Sequence, residues 1–224
     1  MSDDNIKIGH AQLYSPSMST LTATTAFDKY QAPSVAAPTE QDIEHSQPLT
    51  DGFARRLTYL RLSITDFCNF RCEYCLPNGY QGKRPDDELS VPEIATLIGG
   101  FAQVGTKKVR ITGGEPSIRR DVVEIIETIK QTDGIETVAM TSNGYKLGKH
   151  LASWQAAGLD QLNISMDSFD AATFHKMTGF DSLPQLLADM DTLLQTTDIK
   201  LKINSVLMAE TAFENLIDAI DYVK

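Results

Sequence analysis

Leu60-Arg-Leu-Ser-Ile-Thr-Asp-Phe-Cys68-Asn-Phe-Arg-Cys72-Glu-Tyr-Cys75 joins a strand pattern directly to a cysteine triplet. Leu60, Leu62 and Ile64 alternate with Arg61, Ser63 and Thr65, the period-two signature of a strand with one buried and one polar face. The alternation returns three times. Val109 and Ile111 alternate with Lys108, Arg110 and Thr112; Leu162, Ile164 and Met166 alternate with Asn163, Ser165 and Asp167; Leu201 and Ile203 alternate with Lys200, Lys202 and Asn204. Strands are predicted over 57–66, 107–113, 137–143, 161–167 and 200–207.

Helical patterns separate these strands. Ser90-Val-Pro-Glu93 is a capping-box arrangement that opens a helix running to about residue 104. Val122, Val123, Ile125, Ile126 and Ile129 form the apolar stripe of the next helix, and a third lies within 146–157. Leu186, Leu187, Met190, Leu193 and Leu194 repeat the stripe after Ser182 and Pro184, and a last helix is expected from about residue 212 to the chain's end. Strict β-α alternation implies a parallel sheet. A doubly wound sheet is covered on both faces and its strands are apolar on both. Here only one set of each strand is apolar, so the polar sets should converge on a concave surface. The expected fold is α/β, a partial, open β/α barrel with a polar lumen, not a packed eight-stranded core. Residues 1–50 are rich in Ser, Thr, Ala, Pro and acidic residues with weak periodicity. They are expected to be a disordered extension, or a docking segment for a partner, preceding a domain over 51–224.

Composition narrows function. The net charge of −10 argues against a general nucleic-acid binder. No apolar run is long enough to span a bilayer, and the N-terminus has neither signal-peptide nor transit-peptide order, so a cytoplasmic protein without membrane contact is expected. An odd, crowded cysteine set in such a chain reads as metal ligands, not disulfides. Cys68, Cys72 and Cys75 follow the first strand, at the sheet end where β/α folds place ligands. Three thiolates can hold three irons of a [4Fe–4S] cluster and leave the fourth open to the amino and carboxylate groups of a methionine moiety, beside a sulfonium that takes one electron. The alternative is a zinc site of three Cys and one His; none of His10, His45, His150 and His175 is near the triplet in sequence.

Cys-x-x-x-Cys-x-x-Cys resembles the signature of the radical S-adenosylmethionine (SAM) superfamily. Leu60-Arg-Leu-Ser-Ile-Thr-Asp66, Arg110-Ile-Thr-Gly-Gly-Glu-Pro116, Thr141-Ser-Asn-Gly-Tyr145, Asn163-Ile-Ser-Met-Asp167 and Lys200-Leu-Lys-Ile-Asn204 resemble, in order, blocks of the GTP 3′,8-cyclase family of molybdenum cofactor biosynthesis. The resemblance covers about residues 55–224. It implies a [4Fe–4S] cluster on Cys68, Cys72 and Cys75, SAM at Tyr74, Gly114 and Ser165, and GTP at Arg61, Arg110, Thr141 and Lys202. It also implies a 5′-deoxyadenosyl radical that abstracts H-3′ of GTP, whose C3′ then attacks guanine C8. An electron donor such as a flavodoxin or a reductase, and a homodimer, are the partners it suggests. The polar strand sets agree with it, since Arg61, Arg110, Ser165 and Lys202 all belong to them, and three converging cations suit a triphosphate. Gly113-Gly114 is expected to let backbone approach SAM without a Cβ, with Glu115 accepting from its ammonium; Trp154 and the methionines are expected to pack in the core. Family members continue into a sixth strand and a second three-cysteine site, so the chain is expected to be truncated after its fifth β-α unit. Two other readings follow: a module that binds cluster and SAM without cyclising GTP, and a radical SAM enzyme acting on a peptide or porphyrin, against which the three cations argue.

Overall fold

The structure, a computed structural model, describes residues 47–83, 88–208 and 213–223. The expected extension therefore lies, save its last four residues, outside the described residues. Five strands, β1 (Tyr59–Ser63), β2 (Lys108–Thr112), β3 (Thr137–Ser142), β4 (Gln161–Ser165) and β5 (Lys200–Asn204), form one sheet in the order β1-β2-β3-β4-β5, every pair parallel. Among the described residues six α-helices accompany them: α1 (Val91–Gln103), α2 (Val122–Lys130), α3 (Leu147–Ala156), α4 (Ala171–Thr178), α5 (Leu183–Thr196) and α6 (Phe213–Tyr222). A short 3₁₀ turn spans Pro116–Ile118. Sequential order without a reversal means that each crossover packs on the same face of the sheet. That is barrel winding, left open between β1 and β5.

The two strand faces separate as the alternation requires. Val109, Ile111, Val138, Met140, Leu162 and Ile164 are fully buried against Ile94 and Ile98 of α1, Ile125, Ile126 and Ile129 of α2, Leu147 and Trp154 of α3, and Met190 and Leu193 of α5. On the other face Lys108 reaches across β3 to donate to Gln161 Oε1 at 2.6 Å. The intervening β3 residues there include Ala139, whose small side chain leaves that crossing open. The expected polar lumen is thus the concave face.

Strand tips differ from expectation for a reason that matters to function. All five strands stop before the ends predicted for them, at Ser63, Thr112, Ser142, Ser165 and Asn204. Beyond those points the backbone leaves the ladder: Gly114 N donates to Thr65 O at 2.7 Å and Glu115 N to Phe67 O at 2.8 Å. The polar tips belong to loops of the carboxyl end. The capping box at α1 is present, with Ser90 N donating to Glu93 Oε2 at 2.8 Å. Helix α4 was not anticipated. Its stretch Ala-Ala-Thr-Phe-His-Lys-Met-Thr is too short for a full apolar stripe, but it carries an N-cap, Asp170, accepting from Thr173 N at 2.8 Å, and a left-handed C-cap, Gly179. Helix α6 buries none of its residues, leaving Ile217 and Ile220 exposed.

Candidate functional site

The cysteine loop leaves β1 and is pinned from below. Phe70, buried, stacks on Phe180 with centroids 4.6 Å apart and meets Phe174 edge-on. Arg71 N and Glu73 N donate to the carbonyls of Thr178 and Met177 at the end of α4, while Cys75 N and Leu76 N close a turn onto Cys72 O. Cys68 and Cys72 are half-buried and Cys75 is exposed. Burial pushes the Cys68 thiol up, and it pushes Cys72 to about 11 with help from the charges of Cys68, Asp167 and Cys75. The three thiols therefore act on one another across a shared space. Among the described residues no three His, Cys, Asp or Glu side chains are gathered closely enough to hold a single ion.

The Gly113-Gly114-Glu115 loop locks onto this one. A Cβ on Gly114 would lie 2.3 Å from Phe67 O, and one on Gly113 would lie 2.3 Å from Thr65 O. The two glycines admit the backbone of the cysteine loop itself, a different reason from the expected approach of a ligand. Glu115 also departs from expectation. It is 1% exposed, and its carboxylate accepts from Ser117 N (2.9 Å), Ser142 Oγ (2.8 Å) and Asn143 N (2.6 Å). It ties the β2 loop to the tip of β3 and is not offered to a ligand's ammonium. Asn143 carries the tie onward, donating from Nδ2 to Asn69 Oδ1 at 3.0 Å and accepting at Oδ1 from Tyr145 N at 2.9 Å. Asn69 Nδ2 is buried and has no partner among the described residues.

Of the residues expected at SAM, Tyr74 donates from its hydroxyl to Asp167 Oδ2 at 2.7 Å, which, behind burial, pushes its phenol up. Asp167 Oδ1 accepts from Val206 N at 2.8 Å, so one carboxylate joins the cysteine loop, the β4 tip and the segment after β5. Tyr74, Asp167, Thr173, Lys176 and Asn215 are among the walls of a cavity of about 510 Å³. Ser165, half-buried at the end of β4, pairs in register with Asn204.

The residues expected at GTP share the lumen. Arg61 pairs in register with Arg110, and Asn163 pairs with both Thr141 and Lys202. Arg110 lies 5.8 Å from the Tyr59 ring centroid, and its buried Nε has no partner among the described residues. Lys108 is lowered first by burial, then by the charges of Arg110, Lys200 and Lys202. Cations from three strands thus meet over one concave face. Lys108, Asn69, Asn143 and Asp167 were not singled out from sequence. Lys108 sits in the polar set beside Arg110 and was readable; the other three depend on contacts between loops.

Residues 62–223 match the model of the Radical SAM superfamily. The chain belongs to that superfamily. Its cofactors are accordingly a [4Fe–4S] cluster and SAM. Among relatives, the GTP 3′,8-cyclase of Pectobacterium atrosepticum is 49% identical over 178 residues, covering 79% of this chain and 54% of the relative. The GTP 3′,8-cyclase of Pasteurella multocida is 48% identical over 166 residues, 74% of this chain and 49% of its own length. The chain thus spans about half the length of the curated relatives it matches. Two solved structures share the fold. Streptococcus suis SuiB bound to S-adenosylmethionine superposes with a TM-score of 0.61 at 16% identity, over 79% of this chain and 38% of SuiB. Methylornithine synthase (PylB) gives 0.59 at 15% identity, over 80% of this chain and 58% of its own. Among the described residues of this radical SAM chain, no helix is long and apolar enough to cross a membrane.

Proposed function

We propose that this chain carries the SAM-cleaving and triphosphate-binding half of a GTP 3′,8-cyclase, acting in the cytoplasm and fed by a flavodoxin- or reductase-type electron donor. The observation that carries the substrate is the gathering of Arg61, Lys108, Arg110 and Lys202 in the lumen of a chain whose net charge is −10, with Arg110 Nε buried and unpaired among the described residues. A buried donor without an acceptor is disfavoured by about 1–3 kcal/mol, which a phosphate oxygen would relieve. The near-half identity to the two cyclases supports the same reading.

The residues present fit a [4Fe–4S] cluster. Cys68, Cys72 and Cys75 lie just beyond the carboxyl end of β1, the charges of Cys68 and Cys75 act on Cys72, and the backbone amides of Phe70 and Asn69 favour the Cys68 thiolate. When bound at Cys68, Cys72 and Cys75, the cluster would supply the one-electron reduction of SAM from which hydrogen abstraction at GTP would follow. Around it, Gly114 offers backbone at the cysteine loop, Ser165 a hydroxyl at the β4 tip, and Tyr74, held by Asp167, a wall of the adjoining cavity. Arg61, Arg110 and Lys202 orient the triphosphate and Thr141 adds a hydroxyl between the strands. Helices cover the convex face, which leaves the lumen and its carboxyl-end cavity as the open side for reactants.

The test separates the two ligands. Arg110→Ala and Lys202→Glu in anaerobically reconstituted protein should weaken GTP binding, measured by calorimetry, while SAM cleavage without GTP continues at near the wild-type rate. If GTP binds the variants as it binds wild type, the lumen is not the triphosphate site.

A further inference from the structure

We propose that the side-chain amide of Asn69 is a hydrogen-bond donor to the cluster, one that sets its reduction potential. The inference rests on the radical SAM reading above. It starts from a chain of forced orientations. Tyr145 N can only donate, so the Asn143 atom 2.9 Å from it is the oxygen, Oδ1. The other end of that amide, Nδ2, then faces Asn69 at 3.0 Å and requires an acceptor there, Oδ1. Asn143 is held in place by its own backbone, whose N–H donates to the buried carboxylate of Glu115 at 2.6 Å. Flipping Asn69 would set two NH₂ groups against each other, and flipping both would set the Asn143 NH₂ against Tyr145 N–H. The network therefore leaves Asn69 Nδ2 as the free end.

That end is buried and has no partner among the described residues. A donor in this state is rare in folded proteins and points to an acceptor that binds afterwards. Asn69 directly follows Cys68, and the backbone amides of Asn69 and Phe70 already act on the Cys68 sulfur. The acceptor most directly supplied at this place is a sulfide of the cluster, since the three cysteine sulfurs are already present and none of them partners Nδ2. Hydrogen bonds to cluster sulfurs stabilise the more negative, reduced state and so raise the potential. Asn69, Asn143 and Glu115 would thus relay the geometry of the β2 and β3 tips to the cofactor.

Two measurements on the reconstituted full chain decide it. In redox titrations followed by EPR, Asn69→Ala should disfavour reduction by roughly tenfold, ~59 mV for a one-electron couple. Asn69→Asp, which keeps the acceptor for Asn143 but adds a negative charge, should lower the potential further. Asparagine labelled with ¹⁵N only at its side-chain amide should add a nitrogen coupling to the pulsed EPR spectrum of the wild-type reduced cluster. This measurement stands even if a variant loads poorly. Wild-type potentials in both variants, or no ¹⁵N coupling, would overturn the proposal and leave a buried water as the partner. A wild-type chain that loads no four-iron cluster would instead overturn the function reading, and this inference with it.

Discussion

Removing the Glu115 carboxylate should loosen the site more than any loop residue's exposure would suggest. Glu115→Ala strands three donors inside the protein, Ser117 N, Ser142 Oγ and Asn143 N. At ~1–3 kcal/mol for each orphaned donor the loss is about 3–9 kcal/mol, a large share of the ~5–15 kcal/mol that holds a domain together. Glu115→Gln keeps the shape and one acceptor oxygen for Ser117 and Ser142, but turns an NH₂ toward Asn143 N–H. One orphan pair should limit its loss to about 1–3 kcal/mol. Urea unfolding measures both, read as a midpoint shift at constant slope. The pH dependence has a definite sign. Burial pushes Glu115 above its ordinary value of 4.5, against the pull of its hydrogen bonds to Asn143, Ser117 and Ser142. A raised carboxyl contributes stability that is complete below the unfolded value and is lost as pH rises through the folded one. Wild type should therefore lose stability relative to Glu115→Gln as pH rises from 4.5. Equal stabilities for Ala and wild type, or a Gln variant worse than Ala, would refute the assignment of Glu115 as the tie between β2 and β3.

Other perturbations reach the remaining parts. Gly114→Ala places a Cβ 2.3 Å from Phe67 O, a backbone atom that cannot step aside, so iron loading should fall sharply after reconstitution. Arg110→Ala should weaken GTP by roughly 10- to 100-fold, the value of a charge-assisted hydrogen bond, as titration calorimetry would show. Ile126→Ala, at a fully buried position of α2, should cost about 2–5 kcal/mol in urea melts with iron stoichiometry unchanged.

Most of the architecture was legible because period-two alternation is strong where one face is dry and the other polar. Val109 and Ile111 against Lys108 and Arg110 sufficed to place β2 and its lumen face. The crowding of Cys68, Cys72 and Cys75 just after β1 was legible from spacing, and the shared face of the lumen cations from alternation. The unread part lies where loops meet. Sequence does not show that Gly114 also lies against Phe67 O, which by itself excludes a Cβ there. Glu115 looked like a ligand-binding acid because two of its three donors, Ser142 Oγ and Asn143 N, come from the distant tip of β3. Asn69 and Asn143 are 74 positions apart, and no local pattern announces such a pair. Helix α4 was missed because a short helix is defined more by its caps, Asp170 and Gly179, than by a stripe.

The proposed function stands on Cys68, Cys72 and Cys75 holding a four-iron cluster to which SAM binds. The direct measurement is iron and acid-labile sulfide per chain after anaerobic reconstitution, with EPR of the dithionite-reduced protein before and after adding SAM. About four irons and four sulfides, as one three-thiolate cluster requires, should be found together with a spectrum that SAM shifts, and all of it should vanish when any one of the three cysteines becomes Ala. Stoichiometric zinc in place of iron, or a cluster spectrum indifferent to SAM, would contradict the account.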